Sequence, residues 1–237
     1  YSNMGNLLRI YRDFAEVVTE ETLDKNLPKD KPRPLIAKNS KGQRDWEDVL
    51  SPADPQVDAL MDSLAALARW ISQNFKQAKE DKLNYLVITT MARMGGVDMR
   101  LLHPTRFKEH QDGKINRAAK EIAKVWRDTA EHKGTQLVCS EHGVNTKSRL
   151  EKGRWSSYLD LVEKLVAQGI PREQIAIMRD TPKPKLQELF AKVNAGEVRV
   201  LIGSLSTLGV GVNVQQRVAA MHLIDPPWRP DQVSQGV

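Results

Sequence analysis

Two loops carry the residue types most suggestive of chemistry. The first is Gly203-Ser204-Leu205-Ser206-Thr207-Leu208-Gly209-Val210-Gly211-Val212-Asn213, which follows an apolar run directly. Glycine lets a backbone approach an anion and turn its N–H groups toward it. Serine and threonine hydroxyls add donors for phosphate oxygens. By composition alone this loop reads either as a phosphate cradle or as a plain turn of small residues. The second is Asp225-Pro226-Pro227-Trp228-Arg229-Pro230, where prolines fix the path on both sides of a Trp-Arg pair. That pair suits stacking on a base or clamping a neighbouring lobe. It equally suits a tryptophan filling the core at a sheet edge.

Nothing in the sequence forms a self-contained catalytic centre. There is no G-x-x-x-x-G-K-[ST] phosphate loop, no D-E-x-H or D-E-A-D run for magnesium, and no G-x-S-x-G nucleophile elbow. The histidines, His103, His110, His132, His142 and His222, lack zinc spacing and read as surface or packing residues. The one cysteine, Cys139, sits in an apolar run and reads as a small buried hydrophobe. A single cysteine excludes a disulfide framework and a cysteine-rich zinc site, and it fits a cytoplasmic setting. No run of eighteen apolar residues exists, so no membrane helix and no membrane partner are expected. Residues 1–12 lack a signal pattern, and the start at Tyr1 rather than Met suggests the interior of a longer protein.

The elements that must position these loops follow from periodicity. Helical spacing of apolar residues marks 2–20 and 57–71. Between them, residues 24–54 are rich in Lys, Pro, Gly and Asn and read as a long connection. An apolar, partly β-branched run over 83–94 ends at the Gly95-Gly96 break. After Pro104, helices over 114–130, 155–168 and 185–194 alternate with short apolar strands over 136–140, 175–178, 198–202 and 220–224, and a further helix is expected after Pro230. Such alternation predicts a parallel sheet with crossover helices, hence an α/β fold. Continuous apolar strands indicate a sheet covered on both faces. In such sheets the working loops lie beyond the strands' C-terminal ends, here beginning at Ser140, Arg179, Ser204 and Asp225. The net charge is +6, and residues 106–154 hold twelve Lys/Arg against seven Asp/Glu, so the excess is concentrated there. A concentrated basic stretch suits a polyanion, and it also suits a plain solvated helix face.

Taken in order, these pieces resemble the C-terminal helicase lobe of superfamily-two ATPases on the Swi/Snf-like side. The nearest likeness is to the helicase–DNA-methylase proteins of phages and plasmids, related to the strawberry-notch helicases. Thr135-Gln136-Leu137-Val138-Cys139-Ser140 resembles motif four. The run 197–204, continuing through Gly209-Val210-Gly211-Val212-Asn213-Val214-Gln215, resembles motif five. Residues 225–230 resemble the acidic-Trp-Pro segment before motif six, residues 231–235 resemble the opening of motif six, and residues 98–104 resemble the segment joining the two lobes. The resemblance covers 83–237 well and 1–82 loosely. It implies a RecA-like parallel sheet flanked by helices over 105–237, preceded by a mostly helical extension and interlobe linker over 1–104.

The same resemblance assigns candidate roles. It gives Ser140, Ser204, Thr207 and Asn213 to nucleic-acid contact, and Lys147, Arg149 and Lys152 add charge near them. Gly209, Gly211 and Gln235 fall on the ATP side, and Asp225, Trp228 and Arg229 on the interlobe side. Implied partners are nucleic acid, expected to be DNA, and a first RecA-like lobe of the same polypeptide. ATP and Mg²⁺ belong to the full-length protein, with neither expected on this chain alone. Three departures stand out. Arg179 occupies a position where relatives often carry His, 205–208 lacks their charged residues, and the sequence ends at Val237, before the motif-six arginines. Two other readings compete: a non-catalytic DNA- or protein-interaction module, and, more weakly, a small-molecule transferase. The transferase needs a glycine-rich loop after the first strand, which 140–143 does not supply. Lacking the phosphate loop, the magnesium carboxylates and the motif-six arginines that carry phosphoryl transfer, this 237-residue chain should show no ATPase activity above background. DNA-stimulated turnover by contaminant-free protein, followed by phosphate release, contradicts that expectation.

Overall fold

The computed structural model describes residues 48–146, 151–208 and 212–227. The expected helix over 2–20, the connection before residue 48 and the helix after Pro230 lie outside the described residues. So do Lys147, Arg149, Gly209, Gly211, Trp228, Arg229 and Gln235. The described residues all belong to one compact unit.

The described chain opens with helices. Asp54 caps α1 (Pro55–Gln73) by accepting the Gln56 N–H at 2.9 Å, and proline at the first helical position costs no hydrogen bond. Short α2 (Phe75–Glu80) follows, then α3 (Tyr85–Val97), capped by Asn84 accepting from Val87 N at 3.0 Å. The sequence suggests a break at Gly95-Gly96, yet α3 runs through both. The reason is close packing: a Cβ on Gly95 would stand 2.3 Å from Leu60 Cδ2 of α1. Glycine here lets two helices approach, and propensity yields to that contact. Among the described residues no helix is long and apolar enough to cross a membrane.

From residue 114 onward the elements are α4 (Lys114–Asp128), β1 (Thr135–Cys139), α5 (Ser157–Ala167), β2 (Ile175–Ile177), α6 (Leu186–Ala195), β3 (Val200–Gly203), the one-turn α7 (Leu205–Leu208) and β4 (Val218–Leu223). The strands form a parallel sheet in the order β2-β3-β1-β4, with Leu137 beside Leu201 on one side and Met221 on the other. This is the expected α/β fold, a RecA-like parallel sheet flanked by helices. Within the apolar strands, side chains still alternate between faces. Val138, Val200, Ile202, Ile175 and Ile177 join Ile115, Ile122, Leu161 and Leu165 under α4 and α5. Leu137, Cys139 and Leu201 pack with Leu189, Phe190 and Val193 of α6, and with Leu205, Leu208, Val212 and Val214.

Two buried polar groups tie the sheet to α4. Arg199 donates from Nε to Gly134 O at 3.0 Å, and from its guanidinium to Trp126 O at 2.6 Å and Thr129 Oγ1 at 3.0 Å. Gln136 gives its amide N–H to Ile122 O at 3.0 Å and meets His222 Nε2 through Oε1 at 2.8 Å. Burial pushes His222 down to about 4 from its ordinary 6.5. Between these values the unfolded chain takes up a proton that the folded chain refuses. This contribution to stability is therefore whole above pH 6.5 and lost as pH falls toward 4. Denaturant titrations at pH 7.5 and 4.5 should show a loss of about 2–3 kcal/mol from this group, and His222→Gln should lose correspondingly less. Equal losses in both proteins contradict the assignment.

Candidate nucleic-acid interface

The C-terminal ends of the strands bring four loops together. Each strand's last polar groups need partners once the ladder stops. Ser140 N donates to Gly203 O at 3.0 Å and Ile224 N to Cys139 O at 2.9 Å, which carries the parallel pairing one residue past β1 on the β3 side and one residue past β4 on the other. Glu141 then links three strand ends. Its backbone N–H donates to Asp225 Oδ1 after β4, and its Oε1 accepts the Leu205 N–H after β3, each at 2.9 Å. Asn145 Nδ2 reaches Asp180 Oδ1 and Oδ2 at 2.8 and 2.9 Å, joining the β1 loop to the turn after β2.

This frame borders a cleft of about 300 Å³. Tyr158 and Val144 contribute apolar lining, Arg179 and Lys183 supply cations, and Ser204 and Thr207 line it with hydroxyls. Arg179, Lys183 and Thr207 are exposed, and Ser204 is half-buried. The hydroxyls are mutually ordered. Ser204 N donates to Thr207 Oγ1 at 3.0 Å, Thr207 Oγ1 donates to Ser204 O at 2.9 Å, and Ser204 Oγ lies 2.8 Å from Ser206 Oγ. Two cations beside one concavity can attract a phosphodiester, and the hydroxyls, whose protons are shared among themselves and with Ser204 O, shape the wall between them.

The structure sorts the sequence-derived candidates. Ser204 and Thr207 line the cleft. Ser140 does not: it is 2% exposed, its Oγ donates to His142 O at 3.1 Å, and its carbonyl accepts Tyr158 OH at 2.5 Å. Asn213 is exposed but lies at the opposite edge of the sheet, where its carbonyl accepts from Asn194 Nδ2 at 2.8 Å in the last turn of α6. Asp225 is 4% exposed and holds the β1 loop from inside, with Oδ2 at 3.8 Å from His142 Nε2. Lys152 is exposed between β1 and α5. The cleft cations Arg179 and Lys183 were not among the candidates. Their signals in sequence were the position of Arg179 directly after β2 and the rigid Pro182-Lys183-Pro184 run.

Burial at this edge silences two groups. Cys139 is pushed up to about 12 by burial, with the Glu141 and Asp225 charges adding to it, so it stays a neutral thiol. Tyr158 is raised by burial and then by the same carboxylates, which keeps its hydroxyl a donor to Ser140 O. Among the described residues no group of His, Cys, Asp or Glu could hold a metal ion. No family model matches the chain, and no curated protein matches it.

The frame depends on the turn at Gly143. It has φ +81°, and a Cβ would lie 2.1 Å from Ser157 Oγ and 2.8 Å from Ser157 Cβ. Its carbonyl accepts Ser156 Oγ at 2.8 Å, which anchors the start of α5. Gly143→Ala should therefore cost about 2–4 kcal/mol, combining left-handed strain with overpacking. Denaturant unfolding measures this, and a loss under 0.5 kcal/mol, the ordinary size for a free surface position, contradicts the crowding.

Proposed function

We propose that this chain is the second lobe of a nucleic-acid-dependent translocase of the superfamily-two, Swi/Snf-like kind, and that its cleft grips the backbone of DNA. One observation carries the reading. Arg179 and Lys183 after β2, and Ser204 and Thr207 after β3, face a single concavity at the C-terminal edge of a parallel sheet. That edge is where open α/β sheets bind ligands, and the sequence around β1 and β3 resembles the motifs that touch nucleic acid in that family. The donors are the two cations, with no array aimed at base edges, so they suit phosphates and not sequence readout.

In this reading the cleft holds a strand while a first lobe of the same polypeptide supplies ATP and Mg²⁺, in the cytoplasm. Gly209, Gly211 and Gln235 would face that nucleotide, and they lie outside the described residues. The contribution of this lobe is positional. Arg179 and Lys183 neutralise phosphate charge, and the internally bonded hydroxyl cluster holds the β3 side of the cleft in place. The frame of Glu141, Asp225 and Asn145 keeps the strand ends from moving apart.

Fluorescence anisotropy with labelled DNA tests this. A single lobe should bind weakly, with a Kd on the order of 10⁻⁴ to 10⁻⁶ M at physiological salt, and binding should weaken steeply as salt rises. Arg179→Ala with Lys183→Ala should lower the log–log salt slope on single-stranded DNA by about 1.4, at roughly 0.7 per lost phosphate contact. Replacing Lys147, Arg149 and Lys152 together by Ala should weaken all sequences alike and flatten the slope. Salt-independent binding, or strong preference for one sequence, overturns the backbone reading. Cleft binding that never stimulates ATP turnover by a supplied first lobe favours a non-catalytic DNA-binding module instead.

A further inference from the structure

The basic excess over 106–154 acquires a shape in α4. Ile115, Ala119, Ile122 and Ala123 are buried against the sheet. Lys120, Lys124 and Arg127 recur at spacings of four and three on the side away from them and are all exposed. The first and last lie seven positions apart, about 10 Å along the helix. A DNA strand carries one phosphate per roughly 3.4 Å of axis, so the row matches about three successive phosphates.

The charge of this row is available. Lys124 and Arg127 make no ion pair with any described residue. Lys120 meets Asp112 at 3.7 Å with both side chains 59% exposed, a contact that phosphate can displace. Glu121 and Asp128 are the acids on the same helix, and Glu109 is already held by Lys164 at 2.5 Å. Arg117, one turn before Lys120, is engaged in part by Leu50 O.

The placement gives the row a direction. Lys114, the first residue of α4, lies within electrostatic reach of Asp225 at the C-terminal edge. Trp126, near the other end of the helix, receives Arg199 at the entry to β3. The row therefore descends the outer surface of α4 toward the opposite edge of the sheet, on the side of the sheet away from α6. It does not line the cleft. We propose that Lys120, Lys124 and Arg127 form a second nucleic-acid contact, taken by DNA that extends beyond the cleft. The identity of the polyanion rests on the function proposed above; the surface itself does not.

The test compares oligonucleotides of about 8 and about 40 nucleotides, the shorter matching the site size of a single small domain. The variant carries Lys120→Gln, Lys124→Gln and Arg127→Gln, exposed changes that preserve helix propensity, with circular dichroism confirming the fold. On the longer strand the salt slope should fall by about 2, at roughly 0.7 per lost phosphate contact, while binding of the shorter strand stays unchanged. An unchanged slope on the longer strand overturns the proposal. Equal weakening of both lengths also overturns it, because a general field and not a second contact would then be acting. Polyglutamate of matched charge binding the chain as tightly as the longer strand, with the same loss in the variant, overturns the assignment to nucleic acid. Arg179→Ala with Lys183→Ala separates the two readings. If that pair leaves both lengths unaffected while the α4 variant weakens the longer strand, the cleft fails and the α4 surface stands.

Discussion

The C-terminal edge of the sheet hangs on Glu141. A parallel sheet leaves unpaired N–H and C=O groups where each strand stops, and buried unpaired groups cost about 1–3 kcal/mol apiece. Glu141 resolves this for three strands at once, accepting Leu205 N with its side chain and donating its own N–H to the buried Asp225. The spacing between the ends of β1, β3 and β4 is therefore set by two hydrogen bonds of 2.9 Å. The carboxylates that do this also raise Cys139 and Tyr158 beyond what burial alone does, so the chemistry of the edge stays neutral and structural.

From that clasp the cleft follows. β2 lies at one side of the sheet, beside β3. The turn after β2 is held to the β1 loop by Asn145 and Asp180, which carries Arg179 and Lys183 to the same concavity as the Ser204 hydroxyls. The helical segment is fastened to this assembly by side chains as well. Arg93 donates to Pro226 O, and Arg100 pairs with Asp98 at 2.7 Å and Asp160 at 3.3 Å while stacking over Trp155 at 4.1 Å. Glu109 and Lys164 add a further link. The β4 loop, the segment 93–109 and α5 are thereby held as neighbours.

Much of the fold was legible because it depends on local pattern. The helix around Ile115, Ile122 and Trp126 and the strand at Leu137-Val138-Cys139 fall within one or two residues of their expected bounds. The four loops were legible from strand direction alone. What failed was tertiary. Gly95-Gly96 reads as a break, but a close approach to Leu60 turns Gly95 into a packing residue. Ser140 reads as a contact residue by its motif, yet its hydroxyl and carbonyl are both used inside. Asn213 follows Ser204 by only nine positions, but the chain between buries Leu205, Leu208 and Val212 and ends at the far edge. The roles of Glu141 and Asn145 depend on partners 64 and 35 residues away, a separation that no local pattern encodes.

The most direct measurement is an amide chemical-shift titration of the isotope-labelled chain with single-stranded DNA. The account predicts saturable shifts at Arg179, Lys183, Ser204 and Thr207, with Asn194, Asn213 and Arg217 unmoved at the opposite edge. Shifts centred on Asn194, Asn213 and Arg217, with the cleft residues silent, would contradict it.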